Sequence, residues 1–331
     1  MMMLNINFIL LLIKFNILYI AMKTLIFYFF FLNVSSALGG NQNCVKDIQE
    51  SLSKINHTPK RQKIYLGSVF KDYEYSKNIW NLFGFFNHFQ GILYEKELDR
   101  YVLTGGDRSS LKAHLIFVNK INGNYIFTKK IDINTSPQNW HPGAPVKFKD
   151  SYIIPIEEFW INRQSEILIT NFKKKTIFQN IPIATGAVSS YNYNDENILI
   201  GFDMFGTNFY KIIDGDIASL ELIHKSDEII FNGSNSIVID QCDNKKFIIS
   251  FGNTNFLAPI ISGNDFIQLY SFNPKNFTSK LIKTFEVECK SMCHFRGAVN
   301  AQVIQNKIQI FATETNKSRS RDFLYLLIFS E

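Results

Sequence analysis

Two stretches of the chain, His88-Phe-Gln-Gly91 and His294-Phe-Arg-Gly297, open almost alike, and each leads into an apolar, strand-like run. Apolar residues recurring with a period of two mark a strand with one face buried. Comparable openings occur at His141-Pro-Gly-Ala144, Ile183-Ala-Thr-Gly186 and Ile230-Phe-Asn-Gly233. A polar turn and a second strand-like run follow each one. Those second runs align without gaps, at residues 100–107, 151–158, 197–204, 246–253 and 307–314. Third runs stand at 113–118, 165–170, 208–213, 266–270 and 323–329, and fourth runs at 127–131, 176–181, 219–223 and 280–287. A chain that writes one small sheet over and over must stack the copies, because a single copy cannot bury its own apolar faces.

Five units of about four short strands, opening 42 to 64 residues apart, match the repeat length of a β-propeller. The composition agrees, being rich in Phe, Ile and Tyr, which favour strands. The last unit stops after its third run, while the first strand-like run of the chain, residues 62–70, has no unit of its own. That run is expected to supply the missing outer strand of the last unit, which closes the ring and removes an open sheet edge. The expected fold is therefore all-β, a five-bladed β-propeller with ring closure between the N-terminal strand and the last blade. Residues 62–87 are too few for a sixth blade, and the gapless alignment argues against a β-sandwich.

The chain thus resembles β-propeller repeats in general, over about residues 62–331. The resemblance implies a rigid ring that displays loops, and a fold alone does not give an activity. Five-bladed glycosidases of the arabinanase and levansucrase type carry a carboxylate on the innermost strand of several blades. Here those strands, such as Ile92-Leu-Tyr94 and Pro145-Val-Lys147, begin without one.

The chain ends set the organisation. Met22-Lys23-Thr24, an apolar run over residues 25–32 and the small residues Ser35-Ser36-Ala37 read as a secretory signal peptide. Residues 1–37 form this segment, with Met22 as the alternative start and cleavage after Ala37, Gly39 or Gly40. Counted from Met1, the stretch also has the length of an N-terminal membrane anchor. Residues 38–61 read as a polar lead-in with one helix near 45–55, and 62–331 as the propeller. The expected location is secreted, periplasmic or lumenal, with the membrane touched only through an uncleaved N-terminal segment.

The formal charge of +6 falls to +4 once Lys14 and Lys23 leave with residues 1–37. The basic residues are scattered apart from Lys173-Lys174-Lys175 and Arg319 with Arg321, which makes no stripe for a nucleic acid. Cys44, Cys242, Cys289 and Cys293 make an even count, compatible with disulfides in an exported chain. Cys289 and Cys293 read either as a bridge across a tight loop or as half of a metal knuckle. Asn56, Asn134, Asn232, Asn276 and Asn316 open glycosylation sequons, but in so Asn-rich a chain chance alone gives roughly four.

In the expected ring, the residue opening a first strand and the residue closing the second lie on one rim. Three units place a His and an acid there: His88 with Asp107, His141 with Glu158, and His294 with Glu314. The other two place Ile183 with Met204 and Ile230 with Asn253. The three His–acid units are consecutive around a closed ring. One reading is a metal centre in which His88, His141 and His294 hold one divalent ion and the carboxylates orient the imidazoles. The protein would then be a secreted hydrolase, lyase or oxygenase. Without a metal, a His and a carboxylate can serve as base and acid, the candidates being Asp107, Glu157, Glu158, Asp203 and Glu314. The other reading is structural. WD-repeat propellers look similar, in that a His and an Asp at these places form a hydrogen-bonded clasp within each blade. The rim would then bind a glycan or an extracellular protein through Trp140, Phe159, Trp160 and Phe205. The binding module is the leading expectation and the enzyme the alternative. His57, His114 and His224 fall outside the pattern and read as surface or strand residues.

Overall fold

The computed structural model describes residues 44–67, 88–107, 112–133, 141–158, 164–171, 176–181, 185–203, 205–230, 233–253, 264–287, 295, 298–313 and 323–331. Twenty-one strands and one short α-helix are described within them. Four antiparallel meanders follow one another. The first runs β2 (His88–Glu95), β3 (Arg100–Asp107), β4 (Lys112–Ile121) and β5 (Asn124–Ile133). In the second, the inner strand is broken into β6 (His141–Pro142) and β7 (Val146–Phe148), both paired to β8 (Ser151–Glu158), then β9 (Gln164–Thr170) and β10 (Thr176–Ile181). The third runs β11 (Ala187–Tyr193), β12 (Glu196–Asp203), β13 (Gly206–Ile213) and β14 (Ser219–Ser226). The fourth runs β15 (Gly233–Asp240), β16 (Lys246–Asn253), β17 (Asp265–Asn273) and β18 (Thr278–Val287).

A fifth group is assembled from both parts of the chain: β19 (Val299–Ile304), β20 (Lys307–Thr313), β21 (Phe323–Phe329) and then β1 (Lys60–Tyr65). β1 lies antiparallel on β21 in unbroken register from Lys60↔Ile328 to Tyr65↔Phe323. It also meets β5 in a short parallel pair, Ile64↔Tyr125 and Tyr65↔Ile126, so the first and fifth groups share one eight-stranded sheet.

Asn and Asp abundance has a local use. Tight hairpins put both central residues at positive φ: Asn122 (50°) with Gly123 (80°), Asn194 (50°) with Asp195 (62°), and Gln305 (52°) with Asn306 (61°). This is the hairpin turn whose twist matches that of the strands, and Asn, Asp and Gly tolerate it best. The outer strands β5, β14 and β18 each carry a bulge at the same step, opposite Phe117/Val118, Phe209/Tyr210 and Leu269/Tyr270. A bulge twists an outer strand and discourages pairing with another chain.

The apolar core lies between neighbouring groups. Ile153, Ile167 and Ile169 of the second pack on Val188, Leu199 and Tyr210 of the third, and Val102, Leu115 and Phe117 of the first on Ile154 and Leu168 of the second. Polar bridges cross every seam. Thr104 Oγ1 donates to Gly143 O (2.8 Å), Thr185 N to Ser165 Oγ (2.8 Å), and Val238 N to Ser189 Oγ (2.8 Å). Asn235 Nδ2 donates to Val299 O (2.8 Å), and Asn300 Nδ2 to Ile92 O (2.7 Å). These bonds lead from the first group to the fifth and from the fifth back to the first.

The segment before β1 is fastened beneath this core. Cys44 and Cys242 form a disulfide across 198 residues of sequence. Helix α1 (Ile48–Ser53) is N-capped by Asp47, whose Oδ1 accepts from Glu50 N at 2.8 Å. Val45, Ile48, Leu52 and Ile55 are buried against Ile239, Ile308, Leu327 and Phe329. Among the described residues no helix is long and apolar enough to cross a membrane.

Candidate functional site

The two HFxG openings place their Phe in the core. Phe89 is buried in the seam between the first and fifth groups. Phe295 is fully buried, edge-on to Phe251 (5.5 Å between centroids) and Phe329 (5.9 Å). Asp265 holds the second opening in place, its Oδ1 accepting from Phe295 N (3.0 Å) and from Asn253 Nδ2 (2.7 Å). Gly91 brings the first opening against the next group, because a Cβ there would lie 2.2 Å from Ala144 Cα.

His88 stands opposite Gly106, not Asp107, and His141 stands opposite Glu157 rather than Glu158. His141 Nδ1 lies 3.2 Å from Glu157 Oε1. The imidazole is about a quarter exposed (27%) and the carboxylate nearly buried (11%). The side chains of His88, Asp107 and Glu158, and all of His294, Glu314, Trp140, Phe159, Trp160, Cys289 and Cys293, lie outside the described residues. Among the described residues no group of three His, Cys, Asp or Glu could hold a metal ion.

Strand alternation shows where Glu157 points. Side chains two apart share a face, as do cross-strand partners. Glu157 therefore shares its face with Ile153, which packs on the third group, and with Ser165, its partner across the ladder. Asp203 shares a face with Leu199, which packs back on the second group, and with Gly201, whose partner is Asn208. Its charge adds to burial in pushing the Tyr210 hydroxyl up to about 12, as expected for a carboxylate on that side of the sheet. Thr185 completes the set, with its side chain 3.0 Å from where a Gly201 Cβ would stand. The rim end of the seam between the second and third groups is thus lined by His141, Glu157, Ser165, Thr185, Asp203 and Asn208. All but His141 are buried. Phe205 stands just beyond Asp203, half exposed (50%), its N–H donating to Asp203 Oδ1 at 3.0 Å.

Sequence reasoning named His141, Glu157, Asp203 and Phe205 but missed Ser165, Thr185 and Asn208. Ser165, between Gln164 and Glu166, and Asn208, after Gly206-Thr207, stand in the polar openings of β9 and β13, so the sequence carried no signal that set them apart. The remaining His divide. His114 is buried with its Nδ1 3.0 Å from Asp132 Oδ1, His224 stacks on Phe277 (4.9 Å), and His57 is exposed.

A second buried charge lies at the opposite end of the sheets. Burial pushes the Glu95 carboxyl up, but hydrogen bonds from Arg100, Lys147 and Tyr152 outweigh this and hold it below the usual range. Tyr152 Oη donates to Glu95 Oε1 at 2.9 Å, Lys147 Nζ lies 2.7 Å from the same oxygen, and Arg100 Nε bonds the other. Cationic and hydroxyl donors occupy both oxygens, so this cluster staples the first group to the second.

No protein-family model matches this chain, and no curated protein matches it. Among solved structures it is similar to the Malassezia sympodialis allergen Mala s 1, with 8% identity over 74% of this chain and 78% of that one and a TM-score of 0.44. It is also similar to a hypothetical protein from Leishmania major (9% identity, 85% and 92% covered, TM-score 0.48). A third likeness is to the β-propeller domain of the Trilobed protease from Pyrococcus furiosus (14% identity, 70% and 78% covered, TM-score 0.32). At these scores the likenesses carry no argument for a ligand or a reaction.

Proposed function

We propose that the five groups are the blades of one β-propeller and that the protein is an exported binding module whose rim takes a glycan. The circuit of seam bonds, from Thr104 round to Asn300, supports five blades in a closed ring. The Cys44–Cys242 disulfide supports an oxidising compartment and hence export.

The observation that carries the binding reading is the accessible His141 imidazole and the half-exposed Phe205 ring beside the buried polar cluster at the end of this seam. Hydroxyl, amide, imidazole and carboxylate groups suit the dense hydroxyls of a sugar, and an exposed ring beside them suits its apolar face. His141 turns its Nδ1 to Glu157 of its own group, as a clasp requires, and so presents a fixed imidazole edge.

The test is a panel of immobilised glycans probed with the purified protein and with Phe205→Ala, with metal content measured alongside. Binding by the wild type that is lost in the variant is expected. Absence of any glycan binding, or a transition metal at one equivalent that the binding requires, overturns the reading. Glu157 and Asp203 favour a second reading, glycoside hydrolysis, since two carboxylates in different surroundings can divide acid and base roles. Release of reducing ends from a bound glycan would bring it forward.

A further inference from the structure

We infer that residues 44–56 form a redox-sensitive latch across the seam between the fourth and fifth groups, held shut by the Cys44–Cys242 disulfide. The segment crosses from one group to the other. At one end Val45 N donates to Asp240 O (3.1 Å), Cys242 N to Val45 O (3.0 Å), and Ile48 N to Gln241 Oε1 (3.3 Å), all in the β15–β16 turn. At the other end Ser51 Oγ bonds Glu331, and Asn56 N donates to Ser330 O (3.1 Å). Between these ends Val45, Ile48, Leu52 and Ile55 cover Ile237, Ile239 and Ile249 of the fourth group and Ile308, Ile310 and Phe329 of the fifth.

Two features make the cross-link decisive. A helix of six residues does not hold itself together, so α1 exists only while docked. Burial of four apolar side chains at most offsets the cost of ordering about a dozen residues. The disulfide removes much of that cost by tethering Cys44 beside its docking turn. β1 does not depend on it, because its ladder to β21 is continuous.

Opening needs a dithiol reductant. It gives two electrons and two protons to the S–S bond, which becomes the Cys44 and Cys242 thiols, while the reductant becomes a disulfide. The segment then leaves and uncovers the apolar seam. The protein would be shut in an oxidising compartment and open in a reducing one.

Hydrogen exchange of the full protein, oxidised and after treatment with a phosphine or dithiol, tests this. Amides 48–56 should exchange at least ten-fold faster when reduced, while β16 and β17 keep their protection. A Cys44→Ala, Cys242→Ala variant should show the same pattern with no reductant, which separates this bond from any change at Cys289 or Cys293. Unchanged protection at 48–56 in either sample overturns the latch. So does loss of protection throughout, which would make the disulfide a support of the whole fold.

Discussion

Gly91→Ala tests the packing of neighbouring groups at its tightest point. The new Cβ would lie 2.2 Å from Ala144 Cα, 2.5 Å from Thr104 Oγ1 and 2.6 Å from Ala144 N. Thr104 can rotate, but Ala144 is backbone of the next group. Ordinary contact begins near 3.4 Å, so the first and second groups must part by about an ångström. Overpacking of this kind costs about 1–3 kcal/mol. The parting also strains the bond from Thr104 to Gly143, worth about 1 kcal/mol. A total loss of about 2–4 kcal/mol is expected in urea unfolding at neutral pH, read as a lower midpoint with an unchanged slope. Gly215→Ala is the control, since its Cβ would meet only Ile217 O, at 3.2 Å. A Gly91→Ala protein within about 0.5 kcal/mol of wild type would refute the seam, because only a site free of neighbours tolerates a methyl group so easily.

Other expectations follow the same reasoning. Asn300→Ala removes the bond to Ile92 O and leaves a buried carbonyl unmet, for a loss of about 1–3 kcal/mol in the same assay. Phe295→Ala empties a fully buried site and costs about 3–5 kcal/mol, whereas Phe205→Ala, at a half-exposed site, stays within about 0.5 kcal/mol. Glu95→Ala leaves Arg100 and Lys147 without their carboxylate and costs about 2–4 kcal/mol, since Arg100 is partly exposed. The Glu95 carboxyl is held below its unfolded value, so its contribution is full above about pH 4.3 and is lost as pH falls through the folded value. Unfolding midpoints from pH 6 to pH 2 should therefore fall less steeply in the Ala variant than in the wild type.

The strands were legible because alternation in β-branched and aromatic residues is a local signal. β3, β8 and β16 begin and end where the aligned runs do. The pairing of β1 with β21 was legible too, since an orphan strand at one end and a missing strand at the other have one economical solution. The short parallel contact of β1 with β5 had no such signal. The ladder partner of His141 was Glu157 rather than Glu158 for a physical reason. Counting to the last residue of each second run selects Asp107 and Glu158, but the ladders put His88 and His141 opposite the residue before. The seam bridges were hidden as well. Ser189, Asn235 and Asn300 look like solvent-facing positions of alternating strands, yet each bonds a neighbouring group. The lead-in looked polar because Val45, Ile48, Leu52 and Ile55 are spaced for a helix within otherwise hydrophilic sequence.

The rim is the centre of the functional account, and affinity measured on matched variants tests it most directly. Titration of the strongest glycan of the panel into wild type, His141→Ala, Phe205→Ala and Leu281→Ala compares this rim site with an exposed outer strand. The account predicts at least ten-fold weaker binding for the His141 and Phe205 variants, with folds intact, and no change for Leu281→Ala. Full affinity in both rim variants, or loss only in Leu281→Ala, would contradict it.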